Sequence, residues 1–94
     1  MKELILRTLI ERGYSERNAN LASNELENLS SPLDELLQAW IDSEDKQSDY
    51  VLDEYSLSKF MKERGMTYPA ALLTMDWLIK EPEAAKRSLA RGVK

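Results

Sequence analysis

The sequence contains no cysteine and no histidine. Without cysteine there is no disulfide framework and no thiolate chemistry. Without histidine the commonest general base is missing. The loss of both removes the two best transition-metal ligands, so structural zinc is excluded and no cofactor is expected. Glycine and proline are scarce, at three each, which favours helices over a turn-rich β fold. Long hydrophobic runs are also missing. The opening Met-Lys-Glu-Leu-Ile-Leu-Arg is interrupted by charge at Arg7 and again at Glu11, too soon for a signal peptide or a membrane span. The expectation is a cytoplasmic protein with no membrane partner.

What is present is a chain of 94 residues, one domain's worth with a limited core. Hydrophobic residues make up 43% and charged residues 32%, an ordinary globular mixture and too apolar for wholesale disorder. The net charge of −4 is unevenly spread. Residues 1–55 hold five basic and thirteen acidic side chains, a charge of −8, and residues 56–94 hold eight and four, a charge of +4. Such a split suggests attraction between the halves, within a chain or between chains; its alternative is a chance asymmetry of solvated charges.

Apolar spacing divides the chain into helices. Leu4, Ile5, Leu6, Leu9 and Ile10 mark a first helix over residues 2–12, closed by Gly13. Ser15 caps a second, whose stripe of Ala19, Ala22, Leu26 and Leu29 carries it to about Leu29. Ser31-Pro32 opens a third, with Ser31 as cap, Pro32 in the tolerant first position and Leu33, Leu36, Leu37, Trp40 and Ile41 as its apolar face. Residues 42–54 then turn acidic, with Tyr50, Val51 and Leu52 as a brief extended piece. Ser56 caps a fourth helix ending at Gly65. Thr67 caps a fifth, the most apolar in the chain, which Glu81-Pro82 breaks; Pro82 opens a short last helix ending near Gly92.

The two halves resemble each other. Glu11-Arg12-Gly13 recurs as Glu63-Arg64-Gly65, Ala19 matches Ala71 and Leu26 matches Leu78. The chain reads as helix, Gly turn, helix, Pro, helix, twice, either as a duplication or because helical hairpins share such signals.

The expected fold is therefore all-α, a compact bundle of five or six short helices, in one form two similar three-helix units. Residues 1–94 make a single helical domain, with a first unit at 1–41, an acidic linker at 42–55 and a second helical unit at 56–94. Leu9, Leu26, Leu36, Leu37, Trp40, Phe60, Leu73, Trp77 and Leu78 are the expected core, the fifth helix is its centre, and Tyr14, Tyr50, Tyr55 and Tyr68 are expected at the surface.

Several motifs carry a functional and a structural reading. The first helical hairpin invites comparison with a helix-turn-helix, since Arg17 and Asn20 on its second helix could face a groove. That helix has only one arginine against Glu16, Glu25 and Glu27, and phosphate contacts need cations. Lys80, Lys86, Arg87, Arg91 and Lys94 form a basic C-terminal set that suits an acidic protein or nucleic acid, or simply complements a helix dipole. Ser56-Leu57-Ser58-Lys59 fits an S-x-x-K pattern without its companion motifs, and Ser56 is explained as a cap. The acidic segment lacks the loop spacing of a calcium-binding hand.

Gly13-Tyr14-Ser15 after a helix, then Ala19 and Ala22, then Leu33, Leu36, Leu37 and Trp40, give residues 5–41 a loose resemblance to ubiquitin-associated three-helix modules. Arg12 stands where that family carries a Met in its ubiquitin-binding loop. The resemblance thus implies the three-helix geometry and not ubiquitin binding.

The functional expectation is a non-enzymatic protein-interaction or regulatory module, self-associating or bound to a protein partner, with no small-molecule substrate evident. The alternative is a nucleic-acid-associated accessory protein. Contacts are expected at Arg17, Asn20, Lys86, Arg87 and Arg91.

Overall fold

A computed structural model of the chain describes residues 2–43 and 49–92. The expectations for residues 44–48 of the acidic segment and for Lys94 lie outside the described residues. Six helices form: α1 (Lys2–Glu11), α2 (Glu16–Leu26), α3 (Ser31–Asp42), α4 (Leu57–Glu63), α5 (Tyr68–Lys80) and α6 (Pro82–Gly92). The fold is a small all-α bundle with one minor addition. Where the stretch read as a linker meets the second unit, β1 (Val51–Leu52) pairs antiparallel with β2 (Tyr55–Ser56). Asp53 turns this hairpin at φ 55°, a conformation that Asp tolerates better than most residues.

Local chemistry sets most helix ends. The hydroxyls of Ser15, Ser56 and Thr67 accept the backbone N–H groups of Asn18, Lys59 and Ala70, each satisfying a donor that the first helical turn leaves open. Gly13 and Gly65 sit at φ 99° and 67°, so the turns after α1 and α4 use a left-handed residue where a side chain would be strained. Helix, glycine turn, capped helix, proline, helix thus occurs in both halves.

The third helix begins one residue earlier than the sequence suggests. Its cap is Ser30, not Ser31, and the Ser30 hydroxyl makes no capping bond. The Ser30 backbone N–H instead donates to Asp76 Oδ1 on α5 at 2.8 Å. The second helix stops at Leu26, short of Leu29, although Leu29 stays buried in the link to α3.

Helix α5 packs against α2, α3, α4 and α6, the central position expected of it. One cluster of buried side chains draws on every helix, with Leu9, Leu26, Leu37, Trp40, Phe60 and Leu78 among its members. Three expectations need correction. Leu36 and Leu73 are only partly buried against that cluster. Trp77 lies at the surface, 36% exposed, because α5 turns its Ala71, Leu72, Met75 and Leu78 side inward. Tyr68, read as a surface tyrosine, is buried and stacks on Trp40 with ring centroids 5.0 Å apart. The Arg12 guanidinium lies 4.2 Å from the Trp40 ring centroid. It also donates to the carbonyls of Trp40, at 2.7 Å, and Ser43, placing a cation at the C-terminal end of α3, where the helix dipole favours one.

Candidate interaction surface

The surface around Trp77 follows from the angular order of residues on α5. Asp76 faces the α2–α3 link: its carboxylate accepts the Ser30 N–H and meets Lys80 Nζ at 3.0 Å. Burial alone would raise the Asp76 pKa, but the hydrogen bonds from Ser30 and Lys80 outweigh it and hold the carboxyl below its ordinary value. Lys80 also donates to the Asn28 carbonyl at 3.3 Å, so this side of α5 is tied to the end of α2. Leu78 faces inward. Trp77 is left between the two, and its indole N–H donates to Glu81 Oε1 at 3.0 Å, fixing the ring along the helix surface.

Helix α6 supplies the other wall. Ala85 and Leu89, four residues apart, are its buried anchors. Their burial turns Ala84, Arg87, Ser88 and Arg91 toward Trp77, and these residues line an open cleft of about 600 Å³. Arg87 and Arg91 are exposed, and neither meets an acidic partner among the described residues.

The remaining candidate contacts lie elsewhere. Lys86 turns to the opposite side of α6, where Nζ pairs with Asp53 Oδ2 at 3.3 Å. This ion pair joins the acidic segment to the basic half, and it borders a smaller cleft of about 340 Å³ lined by Pro32, Tyr50, Leu52, Leu78, Ile79 and Pro82. Arg17 and Asn20 are exposed on α2, and the Asn20 amide donates to the Glu16 carbonyl of its own helix. The Ser56 hydroxyl of the S-x-x-K stretch is engaged in capping α4. The structure thus brings Arg87 and Arg91 together and leaves Arg17, Asn20 and Lys86 apart from them.

Sequence reasoning placed Trp77 in the core and gave Glu81 no role beyond ending the fifth helix. The usable signal was Thr74 three positions before Trp77 and Glu81 four after it, a polar stripe on a largely apolar helix. Among the described residues no group of three or more candidate ligands converges on a metal position, and no helix is long and apolar enough to cross a membrane. No family model, curated protein or solved structure matches the chain, so the likeness to ubiquitin-associated modules stands on the quoted residues alone.

Proposed function

We propose that the protein is a small, non-enzymatic interaction or regulatory module of the cytoplasm, and that Trp77, Arg87 and Arg91 form its contact face. The observation that carries this reading is an exposed indole beside two exposed arginines that have no acidic partner among the described residues. Tryptophan and arginine are the residue types most enriched where binding energy concentrates. A guanidinium binds carboxylate through two parallel hydrogen bonds, so the face suits a protein surface that presents acidic groups around an apolar contact.

Affinity capture from a source lysate tests the reading by comparing the wild type with Trp77→Ala and with Arg87→Glu/Arg91→Glu. A protein retained by the wild type and lost by both variants supports it; identical capture by all three overturns it. The nucleic-acid alternative has one observation in its favour, the exposed Arg17 with no partner among the described residues. It requires a duplex shift at low salt that weakens steeply as salt rises and that Arg17→Ala diminishes.

A further inference from the structure

We propose that the cleft between the β-hairpin and α6 binds a free hydrophobic α-amino acid in its zwitterionic form. The site lies on the side of α6 away from the Trp77 face and stands independently of the interaction reading. Its apolar walls come from four parts of the chain: Pro32 of α3, Tyr50 and Leu52 of the hairpin, Leu78 and Ile79 of α5, and Pro82 of α6. Side chains alternate along extended chain. Tyr50 and Leu52 therefore share the packed side, partly buried, and Val51 between them is 64% exposed. The volume of about 340 Å³ lies within the range of about 300–1,000 Å³ usual for small-ligand sites, which are apolar with a few polar groups that fix orientation. No such ligand was evident in the sequence, because the lining residues are scattered along it.

The polar groups at this cleft are one ion pair, Lys86 Nζ and Asp53 Oδ2 at 3.3 Å. Neither side chain has another partner among the described residues, so ammonium N–H groups and the second carboxylate oxygen stay open. A ligand carrying only a carboxylate meets repulsion from Asp53, and one carrying only an amine meets it from Lys86. A zwitterion with both charges on one carbon answers both, its carboxylate on Lys86 and its ammonium on Asp53. Its side chain is then left to fill the apolar cleft. An exposed ion pair of this kind contributes little to stability by itself, so opening it to admit the ligand costs little. The hairpin is also an addition that the helical framework does not require. At a constant offset of 52 residues, Gly13 matches Gly65, and Leu33 and Leu37 match Ala85 and Leu89, all four of these last buried. On the same offset β2 falls on Glu3 and Leu4, which are helical in α1. Asp53 holds the left-handed position of the hairpin turn, which glycine would fill with less strain, and its carboxylate is the group that reaches Lys86.

The test is titration of the isotope-labelled full chain with L-leucine, L-methionine and L-phenylalanine, followed by amide chemical shifts. At least one is expected to shift Leu52, Asp53, Ile79 and Lys86 with a Kd of about 0.1–1 mM, in keeping with a ligand of few non-hydrogen atoms. The analogue of that ligand without its ammonium and the analogue without its carboxylate (for leucine, 4-methylpentanoate and 3-methylbutylamine) are expected to bind at least about tenfold more weakly. Asp53→Asn and Lys86→Met should each weaken the amino acid by a similar factor. Asparagine tolerates the left-handed turn, and the spectra themselves report that both variants are folded.

No shift from any of the three amino acids at about 20 mM overturns the proposal, as do shifts confined to residues away from the cleft. So does an analogue lacking one charge that binds as tightly as its parent, or a variant that binds as tightly as the wild type.

Discussion

Replacing Asp76 with alanine tests how the two halves of the bundle are joined. Asp76 is 7% exposed, and its Oδ1 accepts the Ser30 N–H at the start of α3. Removing the carboxylate leaves that backbone donor without its partner at a position partly shielded from water. Hydrogen bonds to charged groups contribute about 1.5–3 kcal/mol, and a negative charge near a helix N-terminus adds about 0.3–1 kcal/mol. The Lys80 contact adds little, because the Lys80 side chain is half exposed. Asp76→Ala should therefore lose about 2–3 kcal/mol in urea unfolding followed by far-ultraviolet circular dichroism, a large part of the stability of a small domain. Lys80→Ala should lose under about 1 kcal/mol. The same bond carries a pH signature. The folded carboxyl titrates below its unfolded value of about 3.9, so its contribution is complete above that value and is lost as pH falls through the lower folded pKa. The advantage of the wild type over Asp76→Asn should hold at neutral pH and shrink in that acid window. A loss below about 0.5 kcal/mol for Asp76→Ala, within the range of an ordinary surface substitution, would refute the reasoning.

The two tryptophans should respond oppositely to truncation: Trp40→Ala should cost about 3–5 kcal/mol as a buried large-to-small change, and Trp77→Ala, at the surface, under about 1 kcal/mol by the same unfolding measurement. At Gly65 an added Cβ would meet nothing within 4 Å, so Gly65→Ala isolates the left-handed backbone cost and should lower stability by about 1–2 kcal/mol. Burial, with a smaller contribution from Asp49, pushes the Tyr68 phenol up to about 12, and its hydroxyl has no hydrogen-bond partner among the described residues. Tyr68→Phe should thus be neutral or stabilising by up to about 1 kcal/mol near neutral pH. The wild type should lose stability relative to Tyr68→Phe as pH rises from about 10 toward 12, because the unfolded chain gives up this proton first.

The parts of the fold written in short segments were legible. Ser15, Ser56 and Thr67 cap because a hydroxyl at the right offset reaches an open N–H, and Gly13 and Gly65 turn the chain because their backbone alone allows it. What was not legible depends on distant residues. Two adjacent serines precede Pro32, and the choice of Ser30 goes with a carboxylate 46 positions away. Apolar spacing could not place Trp77, because α5 is apolar almost all round and its outer side is defined by where α2, α3, α4 and α6 pack. Tyr68 was misplaced for the same reason, its burial being completed by Trp40. At the candidate face, the basic character of the C-terminal helix was readable. That Lys86 and Arg87, neighbours in sequence, serve opposite sides of it became clear only once Ala85 and Leu89 were seen to anchor the helix.

The contrasting surroundings of Trp40 and Trp77 give the protein two native optical probes with separate duties. Trp40, enclosed between a phenol ring and a guanidinium, should emit toward the blue and change only when the bundle opens. Trp77 should emit further to the red and be quenched by iodide, an anion that the neighbouring arginines draw close. Single-tryptophan versions, made with phenylalanine at the other position, would let folding and occupancy of the exposed face be followed in the same cuvette without an added label.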